Sequence, residues 1–116
     1  MGSKKEAIAK KYKVRISVNA LQNIGEITGY TAFVNQQPLN ATRIGDKIFK
    51  VIDSLAANPF AYRECSELPT KTRIYRRALC LSWSIIFRIE QNEIIVLGII
   101  HQSRKPAATR TLRKVK

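Results

Sequence analysis

Two hydrophobic periodicities divide this chain. From Tyr12 to Val18, Val14, Ile16 and Val18 alternate with Lys13, Arg15 and Ser17, which predicts a half-buried first strand. The period then changes to that of a helix. Asn19 reads as the N-cap of a helix from Ala20 to about Asn35, with Leu21, Ile24, Ile27 or Thr28, Thr31 and Val34 on its apolar stripe. Gly25 and Gly29 each weaken such a helix by about 1 kcal/mol relative to Ala, and their shared face suggests the close approach of a neighbouring helix. After the connector 35–38, Ala41, Ile44, Ile48, Val51, Ile52 and Leu55 form the stripe of a second helix, Leu39 to Ala57. Asp46, Lys47, Lys50 and Asp53 face outward from it, and Asn58-Pro59 ends it. So short a link predicts an antiparallel helical hairpin. The mixed segment 60–71 reads as irregular.

From Thr72 to Pro106 the pattern is that of strands. Ile74 to Leu79 is crowded with arginines at Arg73, Arg76 and Arg77. In the next, Trp83 to Glu90, Trp83, Ile85, Phe87 and Ile89 share a face opposite Ser82, Ser84, Arg88 and Glu90. Glu93 to Ile100 is almost continuously apolar, the mark of a central strand buried on both faces. Gln91-Asn92 links the last two, and Asn tolerates the left-handed conformation of a tight hairpin. The order strand, helix, helix, strand, strand, strand defines an α+β domain, the helical hairpin packed on a small, mainly antiparallel sheet. It spans 12–106, between a flexible basic N-terminus, 1–11, and a basic C-terminal tail, 107–116, expected to order only against a partner.

Charge adds a functional constraint. Twenty-one Lys and Arg against eight Asp and Glu give a net +13 on 116 residues, an excess that costs self-repulsion and points to a polyanionic or acidic partner. Residues 4–15 hold six basic side chains and one acid, and 104–116 hold six and none, while 19–60 balances three against three. Cys65 and Cys80 lack CxxC spacing and, with a single histidine, no metal site is expected. The default is two reduced thiols in the cytoplasm, with no cofactor. No stretch approaches the roughly 18 apolar residues of a membrane span.

These elements resemble a known family. Leu55, Asn58 and Pro59 closing the second helix, Arg73, Tyr75, Arg76 and Arg77 on a basic strand, Ile86 to Ile89 in an aliphatic hairpin, and the closing His101, Arg104 and Pro106 look like the RelE/ParE superfamily of toxins. The resemblance covers residues 12–106. It implies the toxin half of a bacterial type II toxin–antitoxin module, a growth inhibitor and plasmid-stabilising element held inactive by an antitoxin, with operator DNA reached only through that complex. Two targets follow from it: DNA gyrase for ParE-like members, and mRNA in the ribosome for RelE-like members.

For RNA cleavage at the 2′-OH a site needs a base, cations on the phosphate and an acid for the leaving oxygen. His101 and Arg104 are the candidates should this chain be a nuclease. Two departures, no tyrosine after the last strand and no dense lysine set near Lys71, favour the ParE-like reading. Arg73, Tyr75, Arg76, Arg77, Arg88, Arg104 and Lys105 are the candidate target- or antitoxin-binding residues. Tyr75 lies on a strand that reads as an edge, where charge discourages pairing. Trp83, Ile85 and Phe87 read as core. A basic nucleic-acid- or protein-binding module without toxicity is the alternative class, although no helix-turn-helix, zinc-finger or RNP-type pattern is present.

Overall fold

The computed structural model describes residues 12–116; the basic stretch 1–11, expected to be flexible, lies outside the described residues. Strand β1, Lys13–Ile16, is shorter at both ends than the alternation predicts. Ser17 leaves the strand because its hydroxyl serves as a cap. Its Oγ accepts the Ala20 N–H at 3.0 Å and donates to the Leu97 carbonyl at 3.1 Å. Ser17 and not Asn19 is therefore the N-cap of α1, Val18–Gly29, and Val18, expected on the core face, is 73% exposed.

Helix α1 buries Ala20 and Ile24, then widens into a π-helical turn, Tyr30–Val34, closed by Asn35 N–H to Tyr30 O at 3.1 Å. The wider turn shifts the helical phase. Thr31 stays buried, but Val34, expected on the stripe, turns to solvent; Leu21, also expected there, is 48% exposed ahead of the wide turn. Helix α2, Pro38–Ser54, opens on a proline whose missing N–H costs nothing there. It buries Ala41, Ile44, Ile48 and Ile52, and Leu55 follows in the next turn. The two helices meet closely at Gly45, where an added Cβ would lie 3.4 Å from Thr28 Cγ2. Gly25 and Gly29 have nothing within 4 Å of such an atom, so helix contact is not their reason.

The segment read as irregular contains a 3₁₀ turn, Pro59–Ala61, and a short strand β2, Arg63–Glu64. Strands β3, Tyr75–Cys80, β4, Trp83–Glu90, and β5, Glu93–His101, complete a five-stranded sheet in the order β1-β5-β4-β3-β2. Only β1–β5 is parallel. The fold is α+β, a helical hairpin on a mainly antiparallel sheet. In the β4–β5 turn the left-handed residue is Gln91 (φ 47°) and not Asn92; in the β3–β4 turn it is Leu81 (φ 55°).

Strand β5 is flanked by β1 and β4 and buried on both faces, as its unbroken apolar run predicts. Toward the helices, Ile94, Val96 and Ile99 join Ile85, Phe87 and Ile89 of β4 beneath Ile24, Ile44, Ile48 and Ile52. Toward the other side, Ile95 and Leu97 join Ile86, Tyr75, Cys65, Leu68 and Leu112. The change of parity between Val96 and Ile99 comes from a bulge, since Ile86 pairs with Gly98 but Phe87 with Val96. The bulged backbone is held by α1: Asn19 Nδ2 donates to Leu97 O at 2.9 Å, and Asn23 Oδ1 accepts the Ile99 N–H at 3.0 Å. Gly98 has no room for a side chain, because a Cβ would stand 2.8 Å from Leu112 Cδ2 and 3.1 Å from Asn23 Oδ1.

Leu112 belongs to the segment expected to order only against a partner. It folds instead into α3, Pro106–Arg110, and a 3₁₀ turn, Thr111–Lys114, that cover the second sheet face. Thr109 and Leu112 are buried there. Arg88 donates to Val115 O at 3.3 Å and Arg15 to Lys116 O at 3.4 Å, so basic strand residues also hold the chain end. The reason is geometric: an apolar second face needs a lid, and Leu112 and Val115 supply one.

The loop before β3 is fastened by Glu67, whose Oε1 accepts from Arg77 Nη2 at 3.0 Å. Burial alone would raise its carboxyl pKa, but the Glu67 backbone N–H, Arg77 and the Cys65 thiol outweigh that and hold it below its ordinary value of 4.5. Both thiols are free and buried, and burial raises the pKa of each. Among the described residues no helix is long and apolar enough to cross a membrane.

Two consequences can be measured. Gly98→Ala is expected to destabilise the fold by about 1–3 kcal/mol in urea unfolding through overpacking against Leu112 and Asn23; an unchanged midpoint would show that the bulge has slack. A depressed folded pKa means that Glu67 contributes stability above its unfolded value and loses it as pH falls through the folded one. Stability of the wild type therefore drops below about pH 4.5. Glu67→Gln should be less stable at neutral pH and converge with the wild type in acid, as followed by circular dichroism.

Candidate functional site

The chemistry-bearing residues divide between two places. His101 closes β5 opposite Trp83, the first residue of β4, and the two rings meet edge to face at 5.7 Å. The Ser103 N–H lies 3.1 Å from His101 Nδ1, and Ser103 Oγ lies 2.8 Å from it. A backbone N–H can only donate. Nδ1 is therefore the acceptor nitrogen, and in the neutral ring the proton sits on Nε2. Gln102 fixes the turn beneath: its side-chain amide donates to Leu81 O and Trp83 O, both at 3.0 Å, and its N–H to Ser82 O at 2.8 Å. Arg104 follows through a turn closed by its N–H to His101 O at 3.0 Å, with its side chain exposed.

His101 and Arg104 stand where three openings converge. One, about 450 Å³, runs between α1 and the C-terminal cap past Asn23, Glu26 and Thr111. A second, about 710 Å³, is bounded by Ile27, Tyr30, Asn40 and Trp83. The third, about 200 Å³, brings Glu67, Arg77 and Ser84 to the same two residues. A carboxylate, two guanidinium groups and an imidazole thus share one small cleft, with the carboxylate ion-paired to Arg77.

The arginines of β3 and β4 are otherwise engaged. Arg76 donates to the carbonyls of Arg73, Phe60 and Tyr62 at 2.9, 3.2 and 2.9 Å and lies over the Phe60 ring at 5.0 Å, so it stitches the 3₁₀ turn to the sheet. Arg88, which also holds Val115 O, brings Nε to 2.6 Å from Glu90 Oε2, a charge contact without hydrogen-bond alignment. Arg73 is exposed, 3.9 Å from Glu64. Tyr75 is buried at 6% exposure, under Arg113 at 5.3 Å, so its ring is core and not surface. Cys80 pairs with Trp83, which places Tyr75 and Arg88 roughly 16 Å along the sheet from His101. Of the sequence candidates, only His101, Arg104 and Arg77 line a common cleft; Lys105 lies exposed beside them at the start of α3. Among the described residues no cluster of His, Cys, Asp or Glu could hold a metal ion.

Glu67 was not a sequence candidate, because its partner lies ten positions away across an irregular loop. The hairpin surface also escaped notice. Phe33 and Leu39 are 83% and 86% exposed, and Phe33 lines, with Phe49, an open groove of about 600 Å³ that also takes in Gly25, Gly29 and Gly45. Their signal was legible, as large apolar residues lying off the predicted stripes.

Comparison with known proteins places this geometry. A family model described as the ParE toxin of the type II toxin–antitoxin system, parDE, matches residues 14–106, from β1 to the start of α3. No curated protein matches the sequence. Among solved structures, one titled "Chromosomal ParDE TA system from P. aeruginosa" superposes with a TM-score of 0.62 at 17% identity, covering 79% of this chain and 97% of that one. At that identity the likeness speaks for the fold. With the family match over most of its length, the chain belongs to the ParE family of toxins of type II toxin–antitoxin systems.

Proposed function

We propose that this toxin poisons DNA gyrase by binding and not by cleaving RNA, and that it acts in the cytoplasm until its antitoxin covers it. The observation behind this reading is the state of the imidazole. His101 Nδ1 accepts from the Ser103 N–H, so that nitrogen is engaged within the turn and not free to take a proton from a substrate hydroxyl. The sheet arginines add no free cation to it: Arg76, Arg77 and Arg88 are taken up by carbonyls and carboxylates. Arg104 and Lys105, with Arg73 at the far end of β3, remain exposed for contact with a target.

A second reading has one observation in its favour. Glu67, Arg77, His101 and Arg104 line one cleft of about 200 Å³, and these are the residue types that a ribosome-dependent mRNA endonuclease would use. Against it, the lowered pKa of Glu67 makes that carboxylate a weak base.

The antitoxin, on this proposal, lays an apolar segment into the α1–α2 groove, where Phe33 and Phe49 stand exposed around glycines that admit a close approach. Operator DNA is reached only through that complex.

Two measurements test these readings. In a reconstituted translation reaction, mRNA should stay intact while gyrase supercoiling is inhibited, and His101→Ala should keep that inhibition. Ribosome-dependent cuts that fall by about 10²-fold or more in His101→Ala and Glu67→Gln would establish the nuclease instead. Replacing Phe33 by Ser should weaken antitoxin affinity at least about tenfold in calorimetry, with the toxin's own unfolding midpoint unchanged. Retained affinity would place the antitoxin elsewhere.

A further inference from the structure

The C-terminal segment is the most basic part of the described structure, and it is also folded. Thr109 and Leu112 are buried against the second face of the sheet, with Val115 packed beside them. Arg104, Lys105, Arg110, Arg113, Lys114 and Lys116 of this segment are all exposed, and no acid occurs between 104 and 116. Arg113 is partly committed, lying over Tyr75 and donating to Pro69 O at 3.5 Å. Arg104, Lys105, Arg110 and Lys114 form no ion pair among the described residues.

The distribution of acids explains why this charge is uncompensated. Glu64, Glu67, Glu90 and Glu93 are each met by an arginine of the sheet or its edge, respectively Arg73, Arg77, Arg88 and Arg15. These four acids are thereby spent on the sheet and its edge. The cap has no such partners, and its cations stand on a short helix and turn on the order of 15 Å long, the axial reach of about four or five phosphates of one strand. A mobile tail would lose conformational entropy on binding; this one is already held by Leu112 and by Arg88 and Arg15 on its terminal carbonyls.

We propose that residues 104–116 are a preformed ridge for the phosphodiester backbone, holding nucleic acid beside the opening at His101 and Arg104. The family match ends at residue 106, so most of the ridge lies beyond the matched residues. The assignment does not depend on the choice between gyrase and ribosome, because it rests on the charges of the cap alone. Recognition of this kind is sequence-independent and strongly salt-dependent.

The test is fluorescence anisotropy with the full-length toxin, titrated against labelled DNA and RNA duplexes of about 20 base pairs over a range of salt. Binding of either duplex supports the ridge, and the tighter of the two names the source of the phosphodiester. The triple variant Lys105→Ser, Arg110→Ser, Lys114→Ser should weaken binding on the order of tenfold or more near 100 mM salt and lower the log–log salt slope by about 2.7, or 0.9 per lost contact. The control variant Arg43→Ser, Lys47→Ser, Lys50→Ser removes the same charge from α2 and should change affinity less than about twofold. Circular dichroism confirms that both variants are folded. Equal losses in the two variants would reduce the effect to net charge and overturn the assignment, as would an unchanged ridge variant. Tighter binding of polyglutamate than of either duplex at matched charge would also overturn it, in favour of an acidic protein partner.

Discussion

The structure depends on one strand that has to be covered twice. Ile94, Ile95, Val96, Leu97 and Ile99 of β5 are at most 4% exposed, and burying each such side chain contributes about 1.5–3 kcal/mol. Neither face can be left to water. The helical hairpin takes one face, through Ile24, Ile44, Ile48 and Ile52. The other receives the loop at Cys65 and Leu68 and the C-terminal cap at Leu112. The position of the last residues of the chain is thus dictated by the composition of a strand in its middle.

The bulge in β5 links this core to the functional end of the sheet. It turns Leu97 to one cover and Ile99 to the other, which a regular strand could not do for two residues of the same parity. Its irregular backbone leaves groups that the ladder does not satisfy, and Ser17, Asn19 and Asn23 supply partners for Leu97 O and Ile99 N–H. Helix α1 is consequently anchored by hydrogen bonds two residues before His101. The imidazole's placement follows from a packing requirement, and the openings around it are the gap left between α1 and the cap.

Much of this was legible in the sequence, and the failures have physical causes. Period-2 and period-3.6 patterns gave the helical hairpin, the meander and the doubly buried strand, because those elements are fixed by burial. Local chemistry overrode pattern at Ser17, where a hydroxyl able to cap a helix ended the strand and sent Val18 to solvent. The π turn misled the stripe at Val34, since a phase shift of one residue cannot be seen in a helical repeat. The cap was misread for lack of a stripe, although two apolar residues suffice when the surface beneath them is already apolar. At the candidate site, His101 and Arg104 stood out by residue type. Glu67 did not, because the cleft it shares with them is made by tertiary structure alone.

The arginines show why residue type alone overstates a functional surface. Read along the chain, Arg73, Arg76, Arg77 and Arg88 form a basic strand pair awaiting an anionic partner. Read in space, Arg76 is a backbone stitch, Arg77 and Arg88 have side chains only 22% and 14% exposed and are paired with carboxylates, and only Arg73 is largely free. A planar guanidinium with five donors suits such structural work better than an ammonium does. The net charge of the molecule therefore overstates what the sheet can offer and understates the concentration of free charge elsewhere. Once the paired cations are set aside, the cap of the described structure holds a run of exposed cations with no acid among them, next to the one imidazole.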